Sequence, residues 1–175
     1  MNLPNILSIS RILFLIPIII LFENNFFLFS LVVFITASIT DFLDGYFARK
    51  NGQTSDLGAF LDLLADKLFV SILLIWMTFN FESLVILISA VLIVSREISI
   101  SYLRLFVIAQ SKDFKEVKSN RLGKFKTALQ MIGLGLILIS PLSSDVVFLV
   151  SLSLVFLSAV FSWYSFLRYL NEWIV

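Results

Sequence analysis

Six apolar runs separated by short polar breaks leave this chain few folds to choose from. They cover 6–22, 26–47, 58–79, 83–109, 122–140 and 146–170. A helix needs about 20 residues to cross the hydrocarbon of a bilayer, whereas barrel strands show shorter segments that alternate in polarity. These runs do not alternate, so they predict helices. Hydrophobic residues make up 59% of the chain, against about 45–50% in soluble domains. The expectation is an all-α integral membrane protein with six transmembrane helices, built as one domain over 1–175. The N-terminal segment, with Arg11 followed by apolar residues, resembles a signal peptide, but ENNFF after it offers no small-residue cleavage site, so it reads as a retained first helix.

The polar breaks predict an orientation. Lys and Arg favour cytoplasmic loops, and the breaks at Glu23-Asn24-Asn25, Asn80-Phe81-Glu82 and 141–145 contain neither. The cations collect instead around Arg49 and Lys50 and from Lys112 through Lys126. That places the N- and C-termini in the cytoplasm, with the charged stretch from Asp41 to Asp66 as a cytoplasmic helix-loop-helix dipping partway into the bilayer. The net charge of +1 gives no argument from electrostatics for a nucleic-acid partner. Gly133 and Gly135 are candidates for helix contact, though their spacing is not the small-x-x-x-small pattern.

What is missing narrows the chemistry. With no cysteine and no histidine, thiol chemistry, Cys-based zinc sites and a Ser-His-Asp triad are excluded. Acid/base work falls to carboxylate, Lys or Tyr.

The carboxylates are not scattered. Asp41, Asp44, Gly45 and Ala48 stand at i, i+3, i+4 and i+7, one face of a helix, and Gly58, Asp62 and Asp66 stand at i, i+4 and i+8, one face of another. Two antiparallel helices can turn these faces together, with the small residues leaving room between four carboxylates. Uncompensated, such carboxylates repel one another. An all-oxygen donor set without His or Cys selects Mg²⁺ or Mn²⁺, and Mg²⁺ usually completes its shell with water and substrate phosphates. A diphosphate-containing substrate suits two such ions. The competing reading has the aspartates pair with Arg49, Lys50 and Lys67 as interfacial helix caps. Ionisable groups at membrane depth are functional by default, and four on two small-residue stripes favour the metal site.

Asp41-x-x-Asp44-Gly45-x-x-Ala48-Arg49, then eight residues, then Gly58-x-x-x-Asp62-x-x-x-Asp66 resembles the complete signature of the CDP-alcohol phosphatidyltransferase family. The resemblance implies a six-helix membrane enzyme, commonly a homodimer, that moves a phosphatidyl group from a CDP-linked lipid to an alcohol and releases CMP. It implies that Asp41, Asp44, Asp62 and Asp66 hold two divalent ions and that Asp66 is also the general base. Asn5, Ser8, Asp44, Gly45, Ala48, Arg49 and Ser55 would then form the site for the nucleotide and CDP-lipid, with Arg49 giving charge-assisted hydrogen bonds to the diphosphate.

The resemblance continues outside the signature. Pro4-Asn5-x-Leu7-Ser8-x-x-Arg11 resembles the opening element of the phosphatidylglycerophosphate synthase subfamily, with Ser8 where Thr is usual. Asp62-Leu63-Leu64-Ala65-Asp66-Lys67 resembles its "DPLADK", with Leu63 where proline is usual, and Arg96-Glu97, Arg104 and Gly123-Lys124-x-Lys126-Thr127 resemble further elements of it. This implies CDP-diacylglycerol as donor and glycerol 3-phosphate as acceptor, in a cytoplasmic membrane with the active site facing the cytoplasm. The residues agree: Arg96 and Arg104 nearly share a helical face, and unpaired Arg in lipid is costly, so both should face the bundle interior. With Lys67, Lys124 and Lys126 they are the candidates for the acceptor's phosphate. For Arg96 the alternative is an ion pair with a neighbouring acid, and for Lys112, Lys115 and Lys118 attraction to anionic headgroups is preferred.

Three rivals remain. One keeps the chemistry and uses phosphatidylglycerol, inositol phosphate or serine as acceptor. A prenyltransferase would be expected to carry a second aspartate-rich motif, yet after Asp66 only Asp113 and Asp145 remain among the aspartates. A cation transporter tends to repeat its helical units, and no such repeat is visible.

Overall fold

The computed structural model describes residues 3–51, 56–109 and 121–174, with side chains described for 10–40, 64–103, 106, 125–168, 170 and 171. Among them are six α-helices: α1 (Leu3–Glu23), α2 (Phe27–Asn51), α3 (Asp56–Phe81), α4 (Leu84–Ala109), α5 (Arg121–Ile139) and α6 (Asp145–Ile174). A 3₁₀ turn, Ser140–Leu142, follows α5 where Pro141 interrupts it. The helices fall into two compact units, Met1–Leu73 with Gly135–Phe148, and Leu74–Leu134 with Leu149–Val175.

The all-α expectation holds, but the count of six transmembrane helices does not. Among the described residues, four helices carry a stretch long and apolar enough to span: Leu64–Phe81, Leu84–Leu103, Phe125–Leu142 and Asp145–Arg168. Phe27–Thr40 of α2 is a shorter apolar stretch. Within α1 and α2 the described side chains run over 10–23 and 27–40, each short of a full span.

In the first unit each helix buries one stripe. Arg11, Leu15, Ile18 and Phe22 of α1 recur at i, i+4, i+7 and i+11, and Ser30, Phe34 and Ala37 of α2 at i, i+4 and i+7, all buried. α1 and α2 pack against each other, and the Ser30 hydroxyl donates to the Ile18 carbonyl across them at 2.8 Å. The turn between them is set by Asn25 at φ 63°, a left-handed position that Asn tolerates. The Phe26 N–H reaches the Leu21 carbonyl at 2.8 Å and the Asn25 N–H reaches Phe22 at 2.9 Å, the paired bonds of a Schellman stop. Phe34 stacks on Phe69 of α3, ring centroids 5.9 Å apart.

The second unit packs on small residues. Ser151, Val155, Ser158, Ala159, Ser162 and Phe166 form the buried stripe of α6, and small residues let helix backbones approach closely where lipid offers no hydrophobic drive. Gly133 of α5 shows how closely: a Cβ there would stand 2.7 Å from Val155 Cγ2 and 3.1 Å from the Val155 backbone nitrogen. The Trp163 indole N–H donates to the Leu92 carbonyl at 2.9 Å, tying α6 to α4. Outward positions such as Ile88, Val91, Leu149, Val160 and Leu167 remain exposed, as a lipid-facing surface requires.

Candidate active site

The candidate site is built on the polar ends of α2 and α3. Helical backbone continues in α2 through Asn51, well past the last residue of its apolar stretch, and α3 begins at Asp56. Gly45 alone does not stop α2; the Asn51-Gly52 dipeptide is the first strong break in the sequence. Asp41, Asp44, Gly45, Ala48 and Arg49 therefore share a continuous helix, and Gly58, Asp62 and Asp66 share another. The predicted spacings i+3 and i+4 fall on helical backbone in both, which is what one-face placement requires.

The side chains of Asn5, Ser8, Asp41, Asp44, Gly45, Ala48, Arg49, Asp62, Arg104 and Lys124 lie outside the described residues, as does Ser55 altogether. Asp66 is described, and it is not isolated. Its Oδ1 accepts from Nη1 of Arg11 in an ion pair joining α3 to α1. The two partners differ in burial: the Arg11 side chain is 2% exposed and that of Asp66 46%. Burying a guanidinium in an apolar helix is costly unless it is paired, while the acid stays half-exposed. Lys67, the next residue, is half-buried.

Two of the predicted acceptor-site cations, Arg96 and Lys126, belong to a cluster in the second unit. Glu97 Oε1 accepts from Arg96 Nη1 at 2.7 Å and from Lys126 Nζ at 3.1 Å. Lys126 also donates to the Ser162 hydroxyl at 3.1 Å, so α4, α5 and α6 meet at one set of charges. Arg96 and Lys126 are each buried, 9% exposed. Arg96 faces inward as expected, and it carries the ion pair that was its alternative reading. Glu97 itself was missed as an organising group. The signal was present: it is the one acid between Glu82 and Asp113, and a lone carboxylate within an apolar helix demands a partner.

Among the described residues no group of three or more His, Cys, Asp or Glu could hold a metal ion. The donor chemistry of the chain nevertheless fits one kind of ion. Asp41, Asp44 and Asp62, with the half-exposed Asp66, offer carboxylate oxygen on two helices in a chain without His or Cys, a set suited to Mg²⁺ or Mn²⁺.

A helical, multi-span membrane protein with aspartates spaced on two helices is the class that the fold and the site define. The chain belongs to the CDP-alcohol phosphatidyltransferase family, whose model matches residues 1–165, and is an enzyme of that family. Among its relatives is the "CDP-diacylglycerol–glycerol-3-phosphate 3-phosphatidyltransferase" of Salmonella choleraesuis, 33% identical over 97% of this chain and 93% of the relative. A protein of the same name from Haemophilus influenzae is 35% identical, covering 97% and 92%. Another from Pseudomonas fluorescens is 33% identical, covering 98% and 89%.

Proposed function

We propose that this enzyme transfers the phosphatidyl group of CDP-diacylglycerol to sn-glycerol 3-phosphate, giving phosphatidylglycerophosphate and CMP. The observation that carries this reading is similarity along nearly the whole chain to relatives named for that reaction, joined to the intact aspartate spacing on α2 and α3. The family model's span of 1–165 supports one catalytic domain.

In this reading Asp66 takes the proton from the acceptor hydroxyl as its oxygen bonds to the lipid-linked phosphorus. The bond from that phosphorus to the bridging oxygen breaks, and CMP leaves with the electron pair. Asp41, Asp44, Asp62 and Asp66 would hold Mg²⁺ or Mn²⁺, two ions in all, which supply charge neutralisation at the diphosphate. Arg49 donates to the diphosphate, and Gly45 and Ala48 leave space for the nucleotide beside Asn5, Ser8, Asp44 and Ser55. Lys67, Arg96, Arg104, Lys124 and Lys126 are the cations whose chemistry fits the acceptor's phosphate. With no His or Cys, direct displacement is preferred to a covalent intermediate. A cytoplasmic site in the cell membrane is supported by the concentration of Lys and Arg at 49–50 and 112–126. A homodimer accords with the family resemblance.

The test is CMP release by purified protein with CDP-diacylglycerol, Mg²⁺ or Mn²⁺, and a panel of glycerol 3-phosphate, inositol phosphate, serine and phosphatidylglycerol. Release with glycerol 3-phosphate is expected. Release with inositol phosphate alone contradicts the acceptor, and no release with any acceptor contradicts the reaction.

A further inference from the structure

Arg11 has no part in the proposed chemistry, yet its side chain is the more deeply buried member of the ion pair with Asp66. It sits on the buried stripe of α1 with Leu15, Ile18 and Phe22, so its backbone is fixed by packing on α2. Asp66 is fixed from the other side: Ala65 and Phe69 next to it on α3 are each 1% exposed, and Phe69 stacks on Phe34. Both ends of the pair thus rest on packed helix.

We infer that Arg11 is a positioning residue: it holds the half-exposed Asp66 carboxylate in one orientation toward the reacting groups. The inference rests on the reading of Asp66 as a metal ligand and general base. A planar guanidinium presents its donors in a rigid fork and fixes a carboxylate's plane, which the point charge of Lys does not. A free aspartate samples several rotamers, and misplacement of a reacting group by about 1 Å costs on the order of 100-fold in rate. Partners that orient a ligating carboxylate are typically worth about 10- to 100-fold in metal affinity or activity.

The experiment uses Arg11→Met, which keeps bulk and removes charge, and Arg11→Lys, which keeps charge and loses the fork. Arg11→Met should lower kcat by about 10- to 100-fold and leave the KM for CDP-diacylglycerol unchanged; Arg11→Lys should recover part of the loss. A general packing defect would not be relieved by Lys. Unchanged kcat in either variant overturns the inference, and Arg11→Lys carries the test alone if Arg11→Met does not fold. A second readout needs no turnover: in metal-free protein, Asp66→Asn should lower Tm in the parent but not beside Arg11→Met. Additive losses overturn the coupling. Turnover retained by Asp66→Asn contradicts the role of Asp66 whatever Arg11 does, whereas an inactive Asp66→Asn beside a fully active Arg11→Met contradicts the Arg11 inference alone.

Discussion

Two ion clusters, one in each unit, combine the same residue types with different exposure of the acid. Arg11 and Asp66 pair a buried cation with an acid that is 46% exposed. Arg96, Glu97 and Lys126 pair two buried cations with an acid that is 23% exposed, and Ser162 closes the set. In the first pair the carboxylate is half-exposed, as the proposed ligand and base would need to be. In the second the carboxylate is enclosed by its partners and joins three helices. The two clusters differ in how accessible the acid is, 46% exposed in one and 23% in the other.

Chelation should separate the two most sharply. EDTA is expected to abolish CMP release, and Mg²⁺ or Mn²⁺ to restore it, while the Tm difference between the parent and a Glu97 variant stays the same with or without chelator. A Tm difference that vanishes on chelation would mean that Glu97 belongs with the metal. Next in size, Glu97→Ala leaves two buried cations without their carboxylate and should destabilise by about 3–5 kcal/mol, read as a lowered Tm in detergent. If Glu97→Ala is as stable as the parent, the cluster is not a structural tie. Gly133→Ala tests the packing of α5 on α6, since its Cβ would meet Val155 side chain and backbone; a loss of about 1–3 kcal/mol is expected. The smallest effect belongs to Trp163→Phe, which removes the hydrogen bond to the Leu92 carbonyl at a cost of about 1 kcal/mol. Neither of these last two variants should change the metal dependence of turnover.

The helices were legible because long uncharged runs of Leu, Ile, Val and Phe in lipid leave the backbone no other way to satisfy its hydrogen bonds. The number of spans was not. The sequence marks six apolar runs, and among the described residues four helices carry a stretch long and apolar enough to span. The aspartate spacing was readable since a helix maps sequence intervals directly onto faces. The partner of Asp66 was not, because Arg11 lies 55 residues away and contact between separate helices leaves no interval to read. Gly133 was undervalued for the same reason: its neighbour Val155 is on another helix, and the spacing of glycines along α5 says nothing of it.

The most direct test is the kcat for CMP release by Asp66→Asn in saturating CDP-diacylglycerol, glycerol 3-phosphate and Mn²⁺, alongside a Tm measurement showing folded protein. If Asp66 takes the acceptor's proton, kcat falls by about 10²- to 10⁴-fold while CDP-diacylglycerol still binds. A folded Asp66→Asn protein with the parent's kcat would contradict the account.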